Sequence, residues 1–143
     1  GEVDIRNRRV TVIGGGIMGL ETAEFLACRG NEVTVVRRYE TILRKIEPLY
    51  ASYLLERLRE LGVKIMSRVH VEEITSNSVV VRDQKGRRIE IPSDWVVIAR
   101  GLQPNRAILH ELEGYPTYLI GDCLRPRRIY HAILEGFITA LQI

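Results

Sequence analysis

Gly14, Gly16 and Gly19 fall at G-x-G-x-x-G spacing within VTVIGGGIMGLETAEFLA, residues 10–27. Glycines in this pattern suit one task, the holding of a pyrophosphate by backbone groups. Gly14 permits a tight turn off a strand, Gly16 removes the side chain that would block the phosphates, and Gly19 lets the next helix lie close to a sheet. Ile17 and Met18 complete the first helical turn, whose free N–H groups and positive dipole end face the anion. The spacing alone is a weak signal, since a glycine-rich turn without a ligand has the same letters. It gains weight from a β-branched run before it, an apolar-periodic helix after it and a second strand, EVTVV, at 32–36.

The end of that second strand reads VTVVRRYETILR, residues 33–44. A site for NAD usually places Asp or Glu there to accept hydrogen bonds from the ribose 2′-hydroxyl, and a site for NADP places arginine there. Arg37 stands where the acid is expected, with Arg38 beside it. A guanidinium engages a 2′-phosphate with paired charge-assisted bonds, whereas a carboxylate repels it. The residues therefore favour NADPH over NADH. The competing reading makes Arg37 and Arg38 two solvated charges at a strand end.

These groups need a scaffold, and the remaining pattern supplies it. Strand 9–13 leads to a helix over about 17–29 whose inner face is carried by Ile17, Leu20, Ala23 and Ala27, stopped by Gly30. A strand at 33–37 is followed by a helix from Pro48 to Leu61, with Leu54, Leu55, Leu58 and Leu61 on one face, and by a third strand at 63–66. Residues 69–91 change to short alternating runs between small polar turns, an antiparallel meander. A buried strand ending at Gly101 follows, then a short strand YLIGD at 118–122 with an acidic tip, then an amphipathic helix marked by Ile129, Ile133, Phe137 and Ala140. The expected fold is α/β, a Rossmann-like doubly wound parallel sheet with a three-stranded antiparallel meander.

Composition bounds the alternatives. A chain of 143 residues has a prior of one domain, and 45% apolar with 27% charged residues is ordinary for a globular protein. The net charge of only +3 gives no general pull toward nucleic acid, and Trp95 and the six tyrosines show no stacking pattern. No apolar stretch approaches a membrane span and no signal-peptide core opens the chain, so the cytoplasm is the default compartment. Cys28 and Cys123 have no metal-like or redox-motif spacing; Cys28 reads as core packing inside a helix. His70, His110 and His131 are scattered and suggest no ligand set or triad.

The order of GGGIMGLETAEFLA, EPLYASYLLERLRELGVKI, a meander, VVIARGLQPN and YLIGDCLRPRRIYHAILEGF resembles the pyridine nucleotide-disulfide oxidoreductase superfamily. Within it, the likeness is to the carboxyl-terminal part of NADH:flavin oxidoreductases of the enoate reductase and 2,4-dienoyl-CoA reductase type. The resemblance implies that residues up to about Gly101 form an NAD(P)H unit. It implies that Gly121 and Asp122 belong to a second flavin signature and that 118–143 resembles the end of a neighbouring FAD unit. By the same likeness Arg44 is a further arginine directed at the 2′-phosphate, one residue later than in glutathione reductase-like members. Glu21 resembles the acid that follows the fingerprint, and an ordinary first-turn glutamate fits equally. Arg100 departs from relatives, which carry a small residue there; it could reach the dinucleotide or disturb the flavin contact.

The first half of an FAD unit is absent from the sequence, so the chain resembles a domain excised from a longer flavoenzyme, and no catalytic residue is assigned to it. NADPH (or NADH) is the expected ligand, FAD the cofactor of the parent enzyme, and the missing flavin-binding part the expected partner. Two other readings stay open: a stand-alone nucleotide-binding or sensing module without turnover, and a fragment that binds FAD or another adenine nucleotide at Gly14–Gly19. The last helix and YLIGD, without their usual sheet, could fold back onto this domain or pair with another copy to give a homo-oligomer.

Overall fold

The structure, a computed structural model, describes residues 3–40 and 47–143. The chain divides into two compact units, one ending at Gly101 and one running from Leu102 to Ile143.

Valine-rich runs build the first unit. Strands β1 (Arg9–Ile13), β2 (Glu32–Val36), β3 (Lys64–Met66) and β7 (Trp95–Ile98) form a wholly parallel sheet in the order β3-β2-β1-β7. Strands β4 (Val69–Ile74), β5 (Ser78–Asp83) and β6 (Arg88–Pro92) form the separate antiparallel meander, with a bulge between Val71 and Glu73. Successive side chains of a strand point to opposite faces. Val10, Val12, Val33 and Val35 accordingly pack under Leu20, Ala23 and Leu26 of α1 (Ile17–Ala27) and Leu54 and Leu58 of α2 (Pro48–Glu60). Ile13 and Val36, on the other face, pack against Val69, Val79, Val81 and Ile91 of the meander. Thr11 and Ser93 share a buried hydrogen bond of 2.6 Å. The α/β architecture expected from the sequence is therefore present, with helices covering one face of the sheet and the meander the other.

In the second unit, two 3₁₀ segments, Ala107–Leu112 and Gly121–Cys123, precede α3 (Ile129–Ala140). Polar contacts hold it: Arg106 donates to the Cys123 and Leu124 carbonyls at 2.9 and 2.7 Å, the Gly121 amide donates to Glu135 at 2.8 Å, and Arg127 pairs with Glu135. No residue of α3 is buried.

Several expectations are corrected. Residues 118–122 form no strand; Ile120 is extended, but among the described residues no strand pairs with 118–120, and Gly121 turns with φ +60° into the 3₁₀ segment. Ile129, Ile133 and Phe137 lie on a helix, as the periodicity says, yet all are exposed. In α1, Leu20, Ala23 and the partly buried Ala27 pack inward as expected, Leu26 joins them, and Ile17 is exposed. Cys28 caps the end of α1 and is exposed, so it is not core packing. The strand ending near Gly101 is only half buried, because β7 is an edge of the sheet.

Candidate functional site

At the carboxyl ends of β1, β2 and β7 lies a cavity of about 600 Å³, within the range of small-ligand sites. Open parallel sheets bind ligands at this edge. Its floor is the glycine turn. The Gly14 amide donates to the Val36 carbonyl at 3.0 Å, and the Ala99 amide donates to Ile13 at 2.8 Å, so β1, β2 and β7 together fix the turn.

The three glycines of the fingerprint do different work. Gly14 has φ +125°, and a Cβ there would stand 2.1 Å from the Ala99 carbonyl oxygen. At Gly19 a Cβ would meet the Gly14 carbonyl oxygen at 2.0 Å, so this glycine lets α1 press on the turn. A Cβ on Gly16 would meet nothing within 4 Å. Of these three, only Gly16 has open space where the missing side chain would stand, beside the cavity that it lines; Gly101, also on the cavity, is open in the same way.

Gly16 also caps α1 without a side-chain hydrogen bond, and no acid sits in the helix's first turn. The other core-packed helix is closed: Glu47 accepts from the Leu49 and Tyr50 amides at 3.0 and 2.8 Å, and those bonds hold its carboxyl below the usual range. Helix α1 thus presents early N–H groups to the cavity, where an anionic oxygen would satisfy them.

Among the described residues, every titratable group lining the cavity except Tyr39 is basic: Arg37, Arg38, His70 and Arg100. The two adjacent arginines are not equivalent. Strand alternation sends Arg37 to the face of Val33 and Val35, where its side chain lies over Gly15, only 8% exposed, and its Nε donates to the Tyr39 carbonyl at 2.5 Å. Burial pulls its guanidinium below the usual arginine range. Arg38, the next residue, is exposed.

The structure gathers Gly14, Gly16, Ile17, Met18, Gly19, Arg37, Arg38 and Gly101 around this cavity. Arg44 lies outside the described residues. Gly121 and Asp122 belong to the second unit, where Asp122 accepts from the Arg127 amide at 3.2 Å. Glu21 accepts a hydrogen bond from Tyr50 at 2.7 Å. His70, with Val69 and Val71, is a lining residue that sequence reasoning passed over. The signal for it was the short link after β3: the Val69 amide donates to the Arg37 carbonyl at 3.1 Å, which starts the meander at the cavity edge.

Among the described residues, no helix is long and apolar enough to cross a membrane.

The family description "Pyridine nucleotide-disulphide oxidoreductase" matches residues 2–136. The chain is 36% identical over 140 residues to a bilirubin reductase of Mediterraneibacter gnavus, covering 96% of this chain and 22% of that protein. It is 32% identical over 141 residues to an NADH oxidase of Thermoanaerobacter brockii, with the same two coverages, 96% and 22%. Among solved structures, a 2-naphthoyl-CoA reductase in complex with 2-naphthoyl-CoA superposes with a TM-score of 0.84 at 29% identity, over 99% of this chain and 22% of that one. The chain spans about a fifth of the length of these relatives.

Proposed function

The chain belongs to the pyridine nucleotide-disulphide oxidoreductase family, and from that premise we propose that it binds a nicotinamide dinucleotide, preferentially NADPH, for a flavin-dependent oxidoreductase. One observation carries the reading. Gly16 alone of the fingerprint glycines has open space at its missing Cβ, and that space adjoins a cavity floored by the uncapped start of α1. A pyrophosphate fits this cradle by shape and charge.

The 2′-phosphate falls to Arg38 first, since it is exposed at the end of β2, with Arg37 behind it. The bound nicotinamide supplies the hydride. The protein's own part is to bind and orient the dinucleotide, and FAD is the expected acceptor in the whole enzyme. Residues 118–143, with Gly121 and Asp122, are assigned to the flavin-facing side of that enzyme, and the flavin-binding remainder is the expected partner.

NADH is the second reading, favoured because Arg37, in the place of the expected acid, is turned onto Gly15 and Tyr39.

Titration of the chain with NADPH, NADH, FAD and ADP tests the assignment. NADPH should bind about ten-fold more tightly than NADH, and Arg38→Glu should abolish that preference, as expected from loss of a charge-assisted phosphate contact. Gly16→Val should lower the melting temperature only slightly, by the loss of a good N-cap residue without any clash, and remove binding. Intact binding in Gly16→Val would move the pyrophosphate off this loop, and equal affinity for NADPH and NADH would overturn the 2′-phosphate assignment.

A further inference from the structure

Arg100 lines the same cavity from the side opposite Arg38. Strands β2 and β7 flank β1, so the two arginines follow strand ends about 10 Å apart by ordinary strand spacing. Arg100 is exposed, and no carboxylate lines the cavity among the described residues to neutralise it. Its charge therefore acts on whatever occupies the β7 side.

On the dinucleotide reading, on which this inference rests, that occupant is the nicotinamide. With the adenosine ribose at the end of β2 and the pyrophosphate over the turn after β1, the nicotinamide continues toward β7. That ring is a cation when oxidised and neutral when reduced. We propose that Arg100 is a specificity-determining residue that selects the reduced nucleotide, by repelling the pyridinium ring of the oxidised one.

A unit charge facing a unit charge across a partly solvated cleft alters an equilibrium by roughly five-fold. A contact between Arg100 and the pyrophosphate would behave otherwise, since both redox forms and the ring-free nucleotide carry the same phosphates. The two roles separate cleanly by choice of ligand.

Calorimetric titration of the full chain with NADPH, NADP+ and 2′-phospho-ADP-ribose makes the separation. The wild type should bind NADPH more tightly than NADP+. Arg100→Met should shrink that ratio about five-fold, because loss of the guanidinium weakens attraction to the phosphates of all three ligands alike but relieves repulsion only for NADP+. Arg100→Lys, which keeps the charge, should retain most of the ratio, and added salt should lower it in the wild type but not in Arg100→Met. An unchanged ratio in Arg100→Met overturns the proposal. So does equal weakening of all three ligands, which would put Arg100 on the pyrophosphate while leaving the dinucleotide site standing. Failure of the wild type to bind any nucleotide would overturn the broader reading and this inference with it. If the dephospho forms bind better, NADH, NAD+ and ADP-ribose give the same contrast.

Discussion

The two units of this chain are made of similarly apolar sequence and do opposite things with it. Up to Gly101, alternating valines place one set of side chains under two helices and another under the meander, and Val12, Val35, Val79 and Val81 are fully buried. From Leu102 onward the apolar residues are as dense, yet Ile133 and Phe137 are 66% and 62% exposed and α3 buries nothing. The first unit can position a ligand through its backbone because its core fixes three strand ends at once. The second is ordered by carbonyl and carboxylate contacts, which set a local shape without a core. Burial of apolar surface dominates stability, so the units should differ sharply when probed by substitution.

The largest contrast should come from glycines. Gly14→Ala forces a Cβ to 2.1 Å from a backbone carbonyl at φ +125°, and strain plus overpacking there should cost about 4 kcal/mol in a denaturant titration. Gly121→Ala, at φ +60° with its nearest contact at 3.1 Å from the Ala132 Cβ, should cost about 1 kcal/mol. Equal losses would mean that the second unit is as tightly constrained as the first.

Next in size is core truncation. Leu58→Ala, at a fully buried position of α2, should cost about 3 kcal/mol. Phe137→Ala should stay within about 0.5 kcal/mol, the usual range for an exposed site. A loss at Phe137 that grows with protein concentration would reveal a second copy packed on α3, and would replace the contrast between units with one between monomer and oligomer.

What the sequence made legible follows the same division. The fingerprint, the strands around it and the meander are short-range patterns, and period-2 valines with helical leucines sufficed to place them. The positions of Arg37 and Arg38 are legible at the end of β2, but the difference between them is not. The alternation of Val33, Val35 and Arg37 onto one face already contains it, though only knowledge that α1 and Gly15 lie over that face turns the alternation into burial. His70 reaches the cavity through the tie between Val69 and Arg37, a contact between strands that local periodicity does not encode. In the second unit the pattern misled. The run YLIGD has strand propensity, but a strand exists only where a neighbour completes its hydrogen bonds, and the sequence does not state which neighbours are present.

The smallest expected effect concerns the edge of the sheet farthest from the cavity. Asp94 precedes β7 and accepts from the Arg9 amide at 2.9 Å and the Arg9 guanidinium at 2.6 Å, tying the start of β1 to the start of β7. The Arg9 guanidinium, then the backbone bond, push the Asp94 carboxyl down to about 2 from an ordinary 3.8. A carboxyl depressed in the folded state contributes stability that is full above its unfolded value and is lost as pH falls through the folded one. The gap in melting temperature between wild type and Asp94→Asn should therefore be constant from pH 7 to about 4 and close as pH falls toward 2, with little absolute size because the pair is open to solvent. A gap that stays constant through this range would mean that hydrogen bonding, retained or lost independently of charge, holds β1 to β7. In that case the register of the cavity's strands would rest on the ladder between Val10–Ile13 and Trp95–Ile98 and on the valines beneath it.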